Sequence, residues 1–223
     1  MIVVMQGRVR STRLPGKGFF TFFGQTIWER MCDIALDVRS VDEVVFATGD
    51  LPENHLIRPL VESRGVRFFA GSEDNVLERF CKALEGKDTD YVVRVTCDNY
   101  LIQPDVIEGL VAAVRAVDAD YGYVEPLSHY AGEVVRFDTL RECWASGHYS
   151  LLAREHVTWD LRNSTATSKA TLPPNFLNLD HDRSPTLDTI EDLVLMKRLE
   201  ATEPGLRPVR CLDAVRRLVE MGS

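Results

Sequence analysis

Apolar residues fall along this chain in short blocks, and the spacing inside each block separates strands from helices. Ile2 to Met5 is a continuous apolar run and predicts a buried strand. Thr26 is a plausible N-cap for a helix to Val38, with Ile27, Met31, Ile34, Ala35 and Val38 on one face. Glu43 to Ala47 predicts a second strand and Glu53 to Ser63 a second helix; Val66 to Phe69 and Asn75 to Leu84 repeat the pair. Tyr91 to Val95 is a fourth strand. Pro104 then opens a helix whose apolar stripe runs through Val106, Ile107, Leu110, Val111, Val114 and Val117. Strand and helix alternating in this way predict an α/β fold, a mostly parallel, Rossmann-like sheet with helices on both faces.

Beyond Ala119 the rhythm loosens. Strands are expected near Tyr121 to Val124, Glu133 to Phe137 and Pro185 to Leu187, and helices over Ile190 to Leu199 and Leu212 to Glu220. Ser164 to Asn175 is rich in Ser, Thr and Ala and ends in Pro173 and Pro174, so it reads as a mobile loop or lid. No repeat or composition break divides residues 1 to 223, and one domain is expected.

Charge narrows the partners. The net charge is −8, so the chain repels nucleic acid everywhere except at one compact basic cluster, Arg8 to Lys17, which suits a small polyanion better than a long backbone. The five cysteines form no CxxC or CxxH pair, which argues against a disulfide framework or a zinc site and for a reduced cytoplasm. Met1 runs straight into a strand, and no apolar stretch approaches the roughly 20 residues of a membrane span.

Ligands of open parallel sheets bind beyond the carboxyl ends of the strands, and that rule selects three segments. The first, Gln6 to Lys17, follows the first strand and offers Arg8, Arg10, Arg13 and Lys17, the hydroxyls of Ser11 and Thr12, and the backbone of Gly7. Cations and N–H donors together replace the hydration of a triphosphate. The loop is neither a Walker A nor a dinucleotide fingerprint, and a solvated basic loop is the alternative. The second ends the fourth strand at Asp98, a natural Mg²⁺ ligand or else a turn aspartate. The third, Thr186 to Asp192, ends a short strand at Asp188, where Thr189 or Asp188 could also cap the next helix. Of the DxD triplets, Asp88/Asp90 and Asp118/Asp120 precede strands and read as turns at the opposite edge, while Asp180/Asp182 stays open.

These residues also carry a resemblance. QGRVRSTRLPGK (Gln6 to Lys17) resembles the N-terminal signature of the sugar-acid cytidylyltransferases, which make CMP-activated Kdo, sialic acid and related sugars. GSEDNVLERF (Gly71 to Phe80), VRVTCDNYLIQPDVI (Val93 to Ile107), REHVT (Arg154 to Thr158) and TLDTIEDL (Thr186 to Leu193) are most similar to the spore-coat polysaccharide branch. The resemblance implies a glycosyltransferase-A type nucleotidyltransferase fold, usually dimeric. It implies that Arg8, Ser11, Arg13 and Lys17 bind the triphosphate, that Asp98 and Asp188 hold Mg²⁺, and that Gly71 to Asp74, including Ser72 and Asp74, lie beside base and ribose. Glu133, Arg154 and His156 would stand near the acceptor; read without the family, His156 is more often a structural histidine. The chain has Arg10 and Cys97 where the branch has Gly, and Tyr100 and Ile190 where it has Pro.

The expected reaction is attack by an acceptor oxygen on the α-phosphorus of CTP (or GTP), with pyrophosphate leaving, onto a small anionic acceptor such as an acidic sugar or a sugar or polyol phosphate. Arg8, Arg13, Lys17 and Asp98 would carry it with Mg²⁺. Without the ion, Asp98 and Asp188 are expected to repel each other. Two other readings keep the same fold: a glycosyltransferase that consumes a nucleotide-sugar, and a non-catalytic nucleotide-binding homologue.

Overall fold

A computed structural model describes residues 1–39, 41–124, 128–172, 186–202, 217 and 221. The chain runs β1 (Ile2–Gln6), a 3-10 turn at Lys17–Phe19, β2 (Thr21–Phe22), β3 (Gln25–Thr26), α1 (Ile27–Leu36), β4 (Glu43–Gly49), a 3-10 helix at Pro52–Ile57, α2 (Arg58–Glu62), β5 (Arg67–Gly71), α3 (Val76–Ala83), β6 (Tyr91–Thr96) and α4 (Pro104–Ala116). Then follow β7 (Tyr121–Tyr123), α5 (Ser128–Ala131), β8 (Glu133–Arg136), α6 (Phe137–Ala145), α7 (Leu151–His156), α8 (Trp159–Asn163), β9 (Lys169–Thr171) and α9 (Ile190–Thr202). Among the described residues no helix is long and apolar enough to cross a membrane.

The main sheet has the order β5-β4-β1-β6-β8-β7-β9. Strands β5, β4, β1 and β6 are parallel, and β8 runs antiparallel to both its neighbours. Alternation along β1 divides the core between the faces of the sheet. Val3 and Met5 pack with Ile27, Met31, Val61 and Ile107 from α1, α2 and α4, whereas Ile2 and Val4 pack with Leu77, Phe80, Leu140 and Leu161 from α3, α6 and α8. Burial on both sides explains why these strands read as unbroken apolar runs.

Local chemistry sets the helix starts. Thr26 and Glu29 form a reciprocal capping box at α1, the Thr26 hydroxyl accepting from the Glu29 N–H at 3.2 Å and the Glu29 carboxylate from the Thr26 N–H at 2.8 Å. Bonding to the Thr26 backbone, first among several causes, holds the Glu29 carboxyl below its usual range. Pro104 begins α4, as expected, and α3 starts beside Asn75, whose side chain caps it. The helix expected over Glu53 to Ser63 is split instead. Pro59 has no N–H to continue the ladder, so a 3-10 segment precedes the short α2.

Within the expected lid the structure differs at Lys169–Thr171. Lys169–Thr171 add a strand parallel to β7, and Ser168 is tied to Asp120 through its hydroxyl at 2.6 Å and its N–H at 3.2 Å. Residues 173–175, Asp180/Asp182 and, apart from Arg217, Leu212 to Glu220 lie outside the described residues. Asp118 and Asp120 pair with Arg136 at the amino edge, in keeping with the turn reading.

Candidate active site

Two strand ends and one bridge build the floor. The Cys97 N–H donates to the Gln6 carbonyl at 3.0 Å, joining the exits of β1 and β6. Thr186 then forms an antiparallel bridge to Asn99, and the Leu187 N–H donates to the Asp98 carbonyl at 2.9 Å. These bonds bring Asp188 to Asp98 across most of the sequence. The Lys17 ammonium lies between them and donates to Asp98 Oδ2 at 2.9 Å and to Asp188 Oδ1 at 2.7 Å, so the two oxygens are no farther apart than those bonds laid end to end. Arg13 reaches the other Asp188 oxygen at 2.9 Å. The expected repulsion is therefore corrected: Lys17 and Arg13 together neutralise the pair in the free protein. Thr189 caps α9, its hydroxyl accepting from Asp192 N–H at 3.3 Å while the Asp192 carboxylate takes the Asp188 and Thr189 N–H groups. The Asp188 carboxylate is left to face the cleft.

The basic loop folds back on itself through the Gly16 N–H to Val9 carbonyl bond at 3.0 Å. Buried Asn54 accepts the Val9 N–H at 2.8 Å and donates to the Gly49 carbonyl at 2.9 Å, and buried Leu14 anchors the loop in the core. The Ser11 hydroxyl accepts the Leu14 N–H at 3.3 Å. Gly7 is required by packing, because a Cβ there would sit 2.5 Å from the Trp28 ring. Arg8 lies 3.7 Å from Glu73, and Arg10 pairs with Glu53.

Gln6, Gly7, Arg8, Ser11, Arg13, Lys17, Asp74, Asp98, Arg154, His156 and Asp188 all line one cleft of about 1120 Å³. That volume exceeds the roughly 300–1,000 Å³ of ordinary single-ligand pockets, so it leaves space for a nucleotide and a second substrate. Two expected residues lie elsewhere. Ser72 caps the turn before α3, its hydroxyl accepting the Asn75 N–H at 3.1 Å, and Glu73 and Asp74 line the cleft there. Glu133 sits behind the cleft wall, where its carboxylate is taken by Arg94, the Tyr121 hydroxyl and the Thr158 hydroxyl.

Arg94 and Arg79 line the cleft; Arg79 was missed, and Arg94 opened the strand-four segment that ends at Asp98 but was given no role. Arg94 interrupts the otherwise apolar run of β6, a signal available in the sequence. Arg79 donates to the Ser72 carbonyl at 2.8 Å, and burial lowers its pKa to about 10, leaving it cationic. Cys97 and Tyr100, two of the departures from the family pattern, are core residues. Tyr100 packs edge-on against Phe22 and its carbonyl accepts from Arg30, while burial pushes the Cys97 thiol well above its usual range. Ile190 is exposed at the start of α9.

The donor chemistry at Asp98 and Asp188 fits Mg²⁺: two hard carboxylates, held together by one cation. Among the described residues no group of three or more His, Cys, Asp or Glu side chains could hold an ion, so further ligands would come from phosphate and water.

The fold and cleft define a nucleotidyltransferase-type α/β sheet with its polar groups gathered at the carboxyl ends of β1 and β6. The model of the cytidylyltransferase family matches residues 2–204, and the chain belongs to that family. It is 30% identical over 219 residues to the spore coat polysaccharide biosynthesis protein SpsF of Bacillus subtilis, covering 93% of this chain and 89% of that one. Its fold is similar to that of a cytidylyltransferase from Leptospira borgpetersenii, with a TM-score of 0.83, 21% identity, and 99% and 94% of the two chains covered. It is also similar to CMP:2-keto-3-deoxy-manno-octonic acid synthetase complexed with CTP, with a TM-score of 0.69, 18% identity, and 91% and 98% covered.

Proposed function

We propose that the chain transfers CMP from CTP to a small anionic, sugar-like acceptor and releases pyrophosphate, in the cytoplasm and as a homodimer, for the synthesis of a cell-surface glycan. The observation that carries this reading is the convergence of Asp98, Asp188 and Lys17 at the foot of the basic loop. Arg8, Arg13 and Lys17 would bind the triphosphate and neutralise it, exchanging their present carboxylate partners for phosphate oxygens. Asp98 and Asp188, released from Lys17, would hold Mg²⁺, which supplies charge neutralisation at the phosphate under attack. Gln6 and Gly7 form the cleft floor, and Asp74 lies on the wall where base and ribose would rest. Arg154 and His156 face the remaining space, where the acceptor would stand.

The non-catalytic alternative leaned on Cys97 and Tyr100; Tyr100 lies in the core away from the cleft, while Cys97, also buried, lines it next to Asp98. The test incubates the protein with CTP or GTP, Mg²⁺ and a panel of acidic sugars and polyol phosphates. Pyrophosphate should appear with CTP, in equal amount to a CMP-linked product. Release of a nucleoside diphosphate from a nucleotide-sugar instead would favour the glycosyltransferase reading.

A further inference from the structure

Arg94 stands where a strand buried on both faces should carry an apolar residue, and its side chain is 12% exposed. Two neighbours hold it. Gln6 Oε1 accepts from its Nε at 3.0 Å, and Glu133, its cross-strand partner on the reversed β8, accepts from one terminal nitrogen. Glu133 in turn is saturated: the Tyr121 hydroxyl bonds one oxygen, and the Thr158 hydroxyl joins Arg94 on the other at 2.9 Å. Burial pushes the Tyr121 phenol up, with the Glu133 carboxylate adding to it, so that hydroxyl remains a donor.

A buried ion pair needs its remaining polar atoms bonded to protein or to water. Here the balance is one-sided. The second terminal nitrogen of Arg94 has no partner among the described residues, and the residue lines the same cleft as Thr96, Arg154 and His156.

The backbone nearby is strained in support of the same group. Val157 adopts φ 50 and ψ −61, and the Thr158 N–H donates to the His156 carbonyl at 2.5 Å, which makes a γ-turn of the rare hand. A β-branched residue is disfavoured there, and strain of this kind persists where packing enforces it. Val157 is buried in the core below, and the turn carries Thr158 inward to Glu133 and His156 outward to the cleft. Gly132, just before Glu133, is fixed too: at φ +68 it lies so close to β6 that a Cβ would meet the Arg94 carbonyl oxygen at 2.4 Å.

We propose that Arg94 recognises the anionic group of the acceptor, a carboxylate or a phosphate, and that Gln6, Glu133 and the Val157 turn are positioning elements that hold its guanidinium at the cleft. The inference rests on the CMP-transfer reading and adds the residue that selects the acceptor. It reassigns Glu133 from contact with the acceptor to support of the residue that makes it.

The test compares wild type with Arg94→Met, Arg94→Lys, Glu133→Gln and the double variant Arg94→Met/Glu133→Gln. The double variant removes both buried charges together, so it remains usable if Arg94→Met alone fails to fold. CTP affinity is measured first by calorimetry. Acceptor KM is then read from pyrophosphate release with 3-deoxy-manno-octulosonate, N-acetylneuraminate and glycerol 3-phosphate, and with uncharged glucose and glycerol; carboxylates and phosphates form separate arms. Wild type should use an anionic acceptor, and the double variant should raise its KM about 10- to 100-fold, the worth of one charge-assisted hydrogen bond. CTP affinity should stay within about twofold. Arg94→Lys should fall between, because it keeps charge without the planar fork. Glu133→Gln should raise acceptor KM less than Arg94→Met, with kcat at saturation retained; an unchanged KM would remove its positioning role. A wild-type acceptor KM in the double variant overturns the proposal. So does a wild type that prefers the neutral acceptors, or one whose CTP complex takes up none of the three anions. A wild type that binds no CTP fails at the first step and sinks the CMP-transfer reading together with this one.

Discussion

Lys17→Met replaces the ammonium between Asp98 and Asp188 with an apolar chain of similar length. The three side chains are 14%, 27% and 17% exposed, so water screens them only partly. At a separation of about 5 Å and an effective dielectric near 20, two carboxylates repel by roughly 3 kcal/mol. Breaking a buried pair from one side costs about 3–5 kcal/mol. Allowing for the exposure of Asp98, the variant should be about 2–4 kcal/mol less stable in metal-free buffer. For a chain of this size that lowers Tm by roughly 5–15 °C. The same change leaves Asp98 uncompensated and Asp188 with Arg13 alone, so Mg²⁺ alone should now stabilise the variant, by about 2.7 kcal/mol at a hundred times its Kd. Wild type, with Lys17 in place, should respond far less. Thermal unfolding across a Mg²⁺ titration checks both halves. A Lys17→Met protein as stable as wild type without metal, or no more responsive to it, would refute the argument.

At Val157, glycine should be at least as well tolerated as alanine, reversing the usual penalty of about 0.5–1 kcal/mol, because only glycine relaxes φ 50; urea unfolding of the two variants decides it. At the far edge, the Ser168 hydroxyl, ahead of Arg136, holds the Asp120 carboxyl below its usual range. A depressed folded pKa gives stability above the unfolded value of about 3.9 that is lost as pH falls through the folded one. Ser168→Ala should therefore be less stable than wild type at neutral pH, and the gap should close in acid; equal curves at every pH would contradict this.

Features decided within a few residues were legible in the sequence. The cap at Thr26 depends on a side chain reaching its own next turn, and the start at Pro104 on a fixed φ and a missing N–H. The place of Asp98 was legible for another reason: parallel strands deliver their carboxyl ends to one edge, whereas Asp188 reaches it through a single antiparallel bridge of Thr186 to Asn99. What lay between those aspartates was not, because Lys17 arrives through a loop whose path is set by Asn54 and Leu14. The reversal of β8 depends on pairing between distant segments, and it set Glu133 against Arg94 rather than in the open cleft. Lys169–Thr171 is three residues at a sheet edge, too short to separate from the loop around it. Ser72 shows the limit of motif transfer, since the motif located the turn but left open which side chain faces the ligand.

The four cations of the basic loop already have partners: Arg8 with Glu73, Arg10 with Glu53, Arg13 with Asp188, and Lys17 with both aspartates. Their fields are cancelled within a few ångströms, on a chain whose net charge is −8. Steering over long distances requires an uncancelled patch, and it is this that makes association fall steeply with ionic strength. A polyanion approaching this cleft therefore meets little attraction before contact. Its capture should be slow for so basic a loop and only weakly salt-dependent, with discrimination coming afterwards, as carboxylates are traded for phosphates one pair at a time.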